Sequence, residues 1–324
     1  MHNKRRLISV FCFIDIYVKL CYYQTSMNKK VALIIAVIVL LAGGLYFGRH
    51  WLRDQWTLLM RPDLPAPMAF QDGQSKNNDN GIQADLPAGP PSHVEGGVSE
   101  SENFKLESSP QTGEPQKQPE PADPLAGDVM LPFELNLDVP WMSQAPHANW
   151  DLPYQEACEE ASMIMVDAFY KKRTGKIPVT EADAEILKLV DYQNKTLGDY
   201  KDTSAEQTAQ VIRDYYGYQD VRVLPVSSAK DIQSVLARGY PVIMPFWGKS
   251  LQNPNFRNGG PYYHMLVVKG YTADNRFITG DPGTRLGQDY LYSFENIIES
   301  ARDWNDGNVP EGAKFMIIVL PNQE

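Results

Sequence analysis

Two stretches, Gln71 to Gly81 and Ser108 to Pro124, contain no large apolar side chain. They lie in a span rich in Pro, Gly, Gln, Ser and acids that runs from about Arg61 to Asp128. Such a segment buries too little apolar surface to offset the entropy lost on ordering. It reads as a disordered spacer, kept extended by prolines and acidic self-repulsion. Any core must be built elsewhere. Apolar density returns near Met130 and lasts to Leu320, a span of roughly 190 residues that suits one domain.

Charge divides the 324 residues at the same places. Residues 1–61 carry +7, residues 62–130 carry −9 and residues 131–324 carry −8, for a total of −10. A chain this acidic lacks the basic face that phosphate binding needs, which argues against nucleic acid as a partner. Three cysteines cannot make a disulfide framework. Cys12 and Cys21 lie near the N-terminus, and only Cys158 lies in the rest of the chain.

From Val31 to Phe47 the chain is apolar residues and glycines without charge, preceded by Lys29 and Lys30 and followed by Arg49 and Arg53. A spanning helix needs about 20 apolar residues, with roughly 17 as the lower limit. The alternative is a cleaved signal peptide, but Leu41 to Tyr46 is a poor cleavage site. The basic residues before the run favour an inside N-terminus. Met27 with Lys29 and Lys30 makes a complete signal-anchor start, so residues 1–26 could be an upstream extension. The expected organisation is an N-terminal cytoplasmic segment (1–30), a transmembrane signal-anchor (31–48), a linker (49–130) and a folded domain (131–324). The domain would then sit outside the cytoplasm on a single-pass anchor.

Within the domain, Glu156–Lys172, Glu181–Gln193 and Ser204–Tyr216 read as helices by apolar spacing, and Ser228 with Asp231 starts another. After Gly239 the period changes. Pro241–Trp247, His264–Tyr271, Arg276–Thr279 and Lys314–Leu320 read as strands, the second and third joined by a turn at Asp274-Asn275. Helices first and an antiparallel sheet after give an α+β fold with helices on one side of the sheet.

Cys158 opens the first helix. There the positive end of the macrodipole and the free N–H groups lower a thiol's pKa. Glu159 and Glu160 oppose this, so a thiolate needs a further partner. The alternative is a buried structural cysteine, although the surrounding Gln155 to Glu160 is polar and acidic. His264 starts a strand after the glycine-rich Gly259 to Tyr263 and could take the thiol proton. It could equally be a strand-edge histidine bonded to backbone. Asp281 could orient that ring and stabilise the imidazolium, though Asp-Pro-Gly is also a turn signature. In an ideal hairpin centred on Asp274-Asn275, Asp281 faces Val268. A bulge or longer turn is needed to bring it to His264. Gln144 is the candidate side-chain donor to an oxyanion, beside the Cys158 N–H, with Gln155 as rival. Trp150, Tyr154, Trp247 and Tyr262 are candidates to line a substrate groove, with ordinary packing as the alternative.

Val139-Pro140, Ser143-Gln144, Cys158-Glu159-Glu160-Ala161-Ser162, Tyr263 to Val268 with Gly270-Tyr271, and Asp281-Pro282-Gly283 follow one another in that order. This ordered set resembles the bacterial papain-like cysteine peptidases of the C39-like group, related to the bacteriocin-processing leader peptidases. The resemblance covers about residues 136–322. It implies a papain-like fold, with Cys158 as nucleophile, His264 as base, Asp281 as orienter and Gln144 in the oxyanion hole. Two features depart from the pattern. Gln144 lies fourteen residues before Cys158, and Glu159 stands where the group often has glycine. Residues 145–157 must then loop out as a substrate wall.

The expected function is an anchored cysteine peptidase acting on peptide or protein substrates without a cofactor. The alternative is a non-catalytic peptide- or cell-wall-binding module on the same fold. A metal site from Cys158, His147 and His264 lacks the usual ligand spacing.

Overall fold

The computed structural model describes residues 123–322, residues 61–71 and, before these, Gly48, Leu52, Arg53, Gln55, Trp56 and Leu59. The apolar run from Val31 to Phe47, the start at Met27 and residues 72–122 lie outside the described residues. Among the described residues no helix is long and apolar enough to cross a membrane.

The domain opens with a short strand β1 (Leu135–Asn136), then the helices α1 (Cys158–Tyr170), α2 (Val179–Thr196) and α3 (Ala205–Val211). A π-helical turn (Ile212–Tyr216) extends α3. There follow β2 (Asp220–Pro225), α4 (Ala229–Leu236), β3 (Val242–Trp247), β4 (Tyr263–Tyr271), β5 (Arg276–Gly280), β6 (Tyr290–Ser293), α5 (Phe294–Ser300) and β7 (Phe315–Leu320). Seven strands among the described residues make one sheet in the order β2-β7-β3-β4-β5-β6, with β1 also on β4. Every pairing is antiparallel.

Burial explains the architecture. All residues of α1 except Asp167 are buried, because the helix lies between β3 and β4 on one side and α2 on the other. By contrast α2 buries only Ala182, Ile186, Leu189 and Gln193, a single stripe at helical spacing. Each fully buried Ile or Leu contributes roughly 2 kcal/mol. The α3 start is a capping box: Ser204 Oγ accepts from the Gln207 N–H at 3.3 Å while Gln207 Oε1 accepts from the Ser204 N–H at 3.0 Å. Every residue of β4 is buried, which requires cover on both sheet faces. Besides α1, the helices α4 and α5 pack on the sheet and on each other.

Residues 61–71 fall within the stretch that reads as linker, yet they share one compact unit with the domain. The Met68 N–H donates to Asn136 O at 2.7 Å, and the Asp138 N–H donates to Met68 O at 2.8 Å. Asn136 Nδ2 donates to Pro65 O at 3.1 Å. Phe70 meets the edges of Phe169 and Tyr170 at 5.6 and 5.0 Å. Arg61 donates to the carbonyls of Gln288 and Leu286 at 2.6 and 2.9 Å. Prolines 62, 65 and 67 leave few N–H groups to satisfy and favour an extended strap.

Candidate active site

The hairpin of β4 and β5 sets the site. Phe277 faces Tyr271, where a two-residue turn would place it against Thr272, and a register shift at Lys269 then puts Gly280 opposite Val267. The longer turn and the bulge each move the pairing by one residue. Continuing that register, Asp281 falls opposite Leu266 and on the face that carries His264. The bulge residue is itself tied down: Lys269 Nζ donates to Leu137 O at 3.1 Å and pairs with Asp289 at 2.8 Å.

His264 Nε2 lies 2.8 Å from Asp281 Oδ1, and both side chains are buried. A carboxylate acceptor puts the ring proton on Nε2 and leaves Nδ1 as the basic nitrogen. Asp281 is well supplied with donors: Gly283 N–H at 2.9 Å, Tyr292 OH at 2.7 Å and Asn253 Nδ2 at 3.3 Å. Burial alone would raise its pKa. His264, with Tyr292 and the Gly283 N–H, outweighs this and holds it below the usual carboxylate range. Phe256 presents its edge to the imidazole at 5.2 Å. A Cβ on Gly283 would stand 2.7 Å from His264 Cε1, so the ring is packed against bare backbone.

Cys158 is the first residue of α1 and is 6% exposed. Its thiol donates to Glu159 Oε2 at 3.0 Å. Burial, then Glu159, raise its pKa well above the ordinary thiol value, and the Met265 N–H pulls the other way. This reverses the lowered pKa expected from the helix terminus. Enclosure of the thiol, with Glu159 beside it, outweighs the helix terminus. The carboxyls are perturbed as well: burial and Glu160 raise Glu159 well above its usual range, and burial pushes Glu160 up to about 8. Glu160 Oε1 accepts from Gln193 Nε2 at 2.5 Å. Glu159 Oε1 and Glu160 Oε2 have no hydrogen-bond partner.

Gln144 lies on the loop before α1, with its backbone N–H donating to Pro282 O at 3.1 Å. Its Nε2 donates to the carbonyls of Tyr154 and Gln155, each at 3.0 Å. Both amide hydrogens are thus engaged in bracing the turn that leads into Cys158. Gln155 lines the cavity and donates to Glu156 at 2.7 Å.

Cys158, His264 and Gln144 line a single cavity of about 720 Å³. Trp150 lines it too, along with Trp141 and Phe256. Tyr154, Trp247 and Tyr262 are not part of the lining. The Tyr154 hydroxyl donates to Asp183 at 2.5 Å, Trp247 is half-buried on β3, and Tyr262 is exposed. Tyr292 and Trp141, whose Nε1 donates to Asp281 O at 3.2 Å, escape a sequence reading. Glu159, whose adjacency to the cysteine was visible in the sequence, is the carboxyl that accepts the thiol's hydrogen bond. His147 lies 3.8 Å from Asp183. Among the described residues no group of three or more His, Cys, Asp or Glu side chains is placed to hold a metal ion.

The sequence model of the Peptidase_C39 like family matches residues 136–306, more than half of the chain. The chain belongs to this family. No curated protein matches it. A crystal structure from Bacillus anthracis, described as that of a C39-like peptidase, is similar at 16% identity with a TM-score of 0.40. That match covers 59% of this chain and 99% of the other. For a C39-like domain, membership implies peptidase chemistry on peptide or protein substrates. The mixed helical and antiparallel architecture agrees with it.

Proposed function

We propose that the chain is a cysteine peptidase in which Cys158 is the nucleophile, His264 the general base and Asp281 the residue that orients the imidazole. The observation that carries this reading is the buried His264–Asp281 pair at 2.8 Å, whose imidazole lines the same cavity as Cys158. The resting thiol is protonated, and its proton passes to His264 Nδ1 as sulfur attacks the substrate carbonyl. The oxyanion forms beside the Cys158 N–H, one of the unpaired donors of the first turn of α1. His264 then returns the proton to the leaving amine, and water activated by the same nitrogen hydrolyses the thioester. Gln144 serves by bracing the turn before Cys158, and it joins the oxyanion hole only by releasing one of its two carbonyls. In the same proposal Val31 to Phe47 anchors the domain outside the cytoplasm. Alkaline extraction of membranes tests the anchor: the chain should stay in the pellet.

The catalytic reading is tested with the full chain carrying Ser at positions 12 and 21, incubated with a peptide library read by mass spectrometry. Cleavage should vanish in Cys158→Ala and fall by roughly three orders of magnitude in His264→Ala. Peptide retention without cleavage by the unsubstituted chain would overturn it. That outcome would favour a non-catalytic peptide-binding module, a reading the raised thiol pKa and the Cys158–Glu159 hydrogen bond also favour.

A further inference from the structure

We infer that the cleft selects acidic peptides, an inference that rests on the peptidase reading for the identity of the cleft and deepens it to a substrate class. Among the described residues the charged side chains lining the cavity are Arg53, Lys176, Arg257 and Arg285, all cationic, and no described Asp or Glu lines it. All four are exposed. This runs against composition, since acids outnumber bases 40 to 30 in the chain. A cavity sampling the surface at random would carry mostly carboxylates.

The four cations come from separate segments. Arg53 precedes the strap, Lys176 lies between α1 and α2, Arg257 between β3 and β4, and Arg285 in the loop after β5. Positive charge therefore reaches the cavity from several parts of the fold. Lys176 Nζ sits 5.4 Å over the ring of Trp141, which holds the ammonium against the cavity wall. The three arginines have interactions of their own as well; what matters is the sign and place of their charge. Carboxylates of the adjoining segments are engaged away from the cavity: Asp183 accepts from Tyr154 and Glu181 is held by Arg173. Trp141, Trp150 and Phe256 give the cavity an apolar floor. An extended peptide crossing that floor with Asp or Glu on either side of the scissile bond meets cations along its path, whereas a basic peptide meets like charge.

Each exposed ion pair contributes only a few-fold in affinity and is screened by salt. Several together give a preference of roughly tenfold to a hundredfold at low ionic strength. The test uses the full chain with Cys158→Ala, which prevents turnover. Fluorescein-labelled peptides of one length and one core, flanked by Glu and Asp, by Ser and Gln, or by Lys and Arg, are titrated by anisotropy at low and high salt. The acidic peptide should bind at least ~10-fold tighter than the basic one at low salt, with the gap closing as salt rises. Lys176→Glu, Arg257→Glu and Arg285→Glu together should abolish or invert the order. Each alone should narrow it, and because all three residues are exposed the fold should survive, as circular dichroism can check. Equal affinities, a preference for the basic peptide, an unchanged order in the triple variant, or no binding of any peptide would overturn the inference. Failure of the peptidase reading would show separately, as absence of cleavage by the unsubstituted chain.

Discussion

Replacing Glu160 by Gln should flatten the pH dependence of stability. The side chain is fully buried, one oxygen accepts from Gln193, and the other has no partner. Burial lifts its pKa from 4.5 to about 8. A carboxyl whose pKa is higher folded than unfolded keeps a proton that the unfolded chain has lost. Its stabilising effect is full below pH 4.5 and disappears as pH rises to about 8. Within that window each pH unit costs about 1.4 kcal/mol, and the whole window about 5 kcal/mol. That is comparable with the entire stability of many domains. Glu159 is displaced in the same direction and adds a contribution of the same sign. Gln matches the shape of the protonated carboxyl and cannot ionise. Urea unfolding of the full chain, followed by tryptophan fluorescence at pH 5, 6, 7 and 8, reads the effect. The two proteins should agree within about 1 kcal/mol at pH 5, and the variant should be more stable by several kcal/mol at pH 8. Parallel curves for the two proteins would refute a neutral carboxyl at position 160.

Asp281→Asn should lower kcat roughly 10- to 10³-fold on any peptide the unsubstituted chain cleaves, with KM little changed, because a neutral amide no longer stabilises the imidazolium formed when His264 takes the thiol proton. Gly283→Ala places a methyl group against His264 Cε1, so kcat should drop at least ~10-fold and thermal unfolding should come earlier, because the buried ring must shift to make room. Glu159→Gln removes the carboxyl that accepts the thiol's hydrogen bond and raises its pKa. Alkylation of Cys158 at pH 7, mapped by peptide mass, should then speed up about tenfold, and an unchanged rate would sink this account of the resting thiol. Arg61→Ala removes both bonds to the loop carbonyls of Leu286 and Gln288. It should cost about 1–2 kcal/mol and raise hydrogen exchange across residues 284–290.

Glu159 and Gln144 show how close neighbours in sequence can take unexpected work. Glu159 stands beside Cys158 and accepts its thiol's hydrogen bond. Gln144 is the candidate oxyanion donor of the sequence, yet its amide is turned toward two carbonyls of the turn before α1. The strap of residues 61–71 is a third case. It belongs by composition to the spacer, but Met68, Phe70 and Arg61 attach it to the sheet, to α1 and to the loop behind Asp281.

Local signals were legible because they depend on neighbours a few residues apart. Apolar spacing marks α1 to α3, the start residues Ser228 and Asp231 mark α4, β-branched runs mark β3, β4, β5 and β7, and the ordered set around Cys158, His264 and Asp281 marks the family. The requirement that a bulge or longer turn bring Asp281 toward His264 also follows from counting residues along a hairpin. What the chain could not disclose depends on contacts distant in sequence. Whether the Cys158 thiol is lowered by a helix terminus or raised by enclosure depends on how tightly β4 and α2 close around α1. Tyr292 and Asn253 reach Asp281 only because β6 and the loop after β3 converge there. The cationic lining of an acidic protein's cleft arises because four distant segments meet at one opening. Periodicity and turn chemistry act over a single turn or strand, so the sequence carries them directly. Burial and the electrostatics it sets exist only after the whole chain has closed.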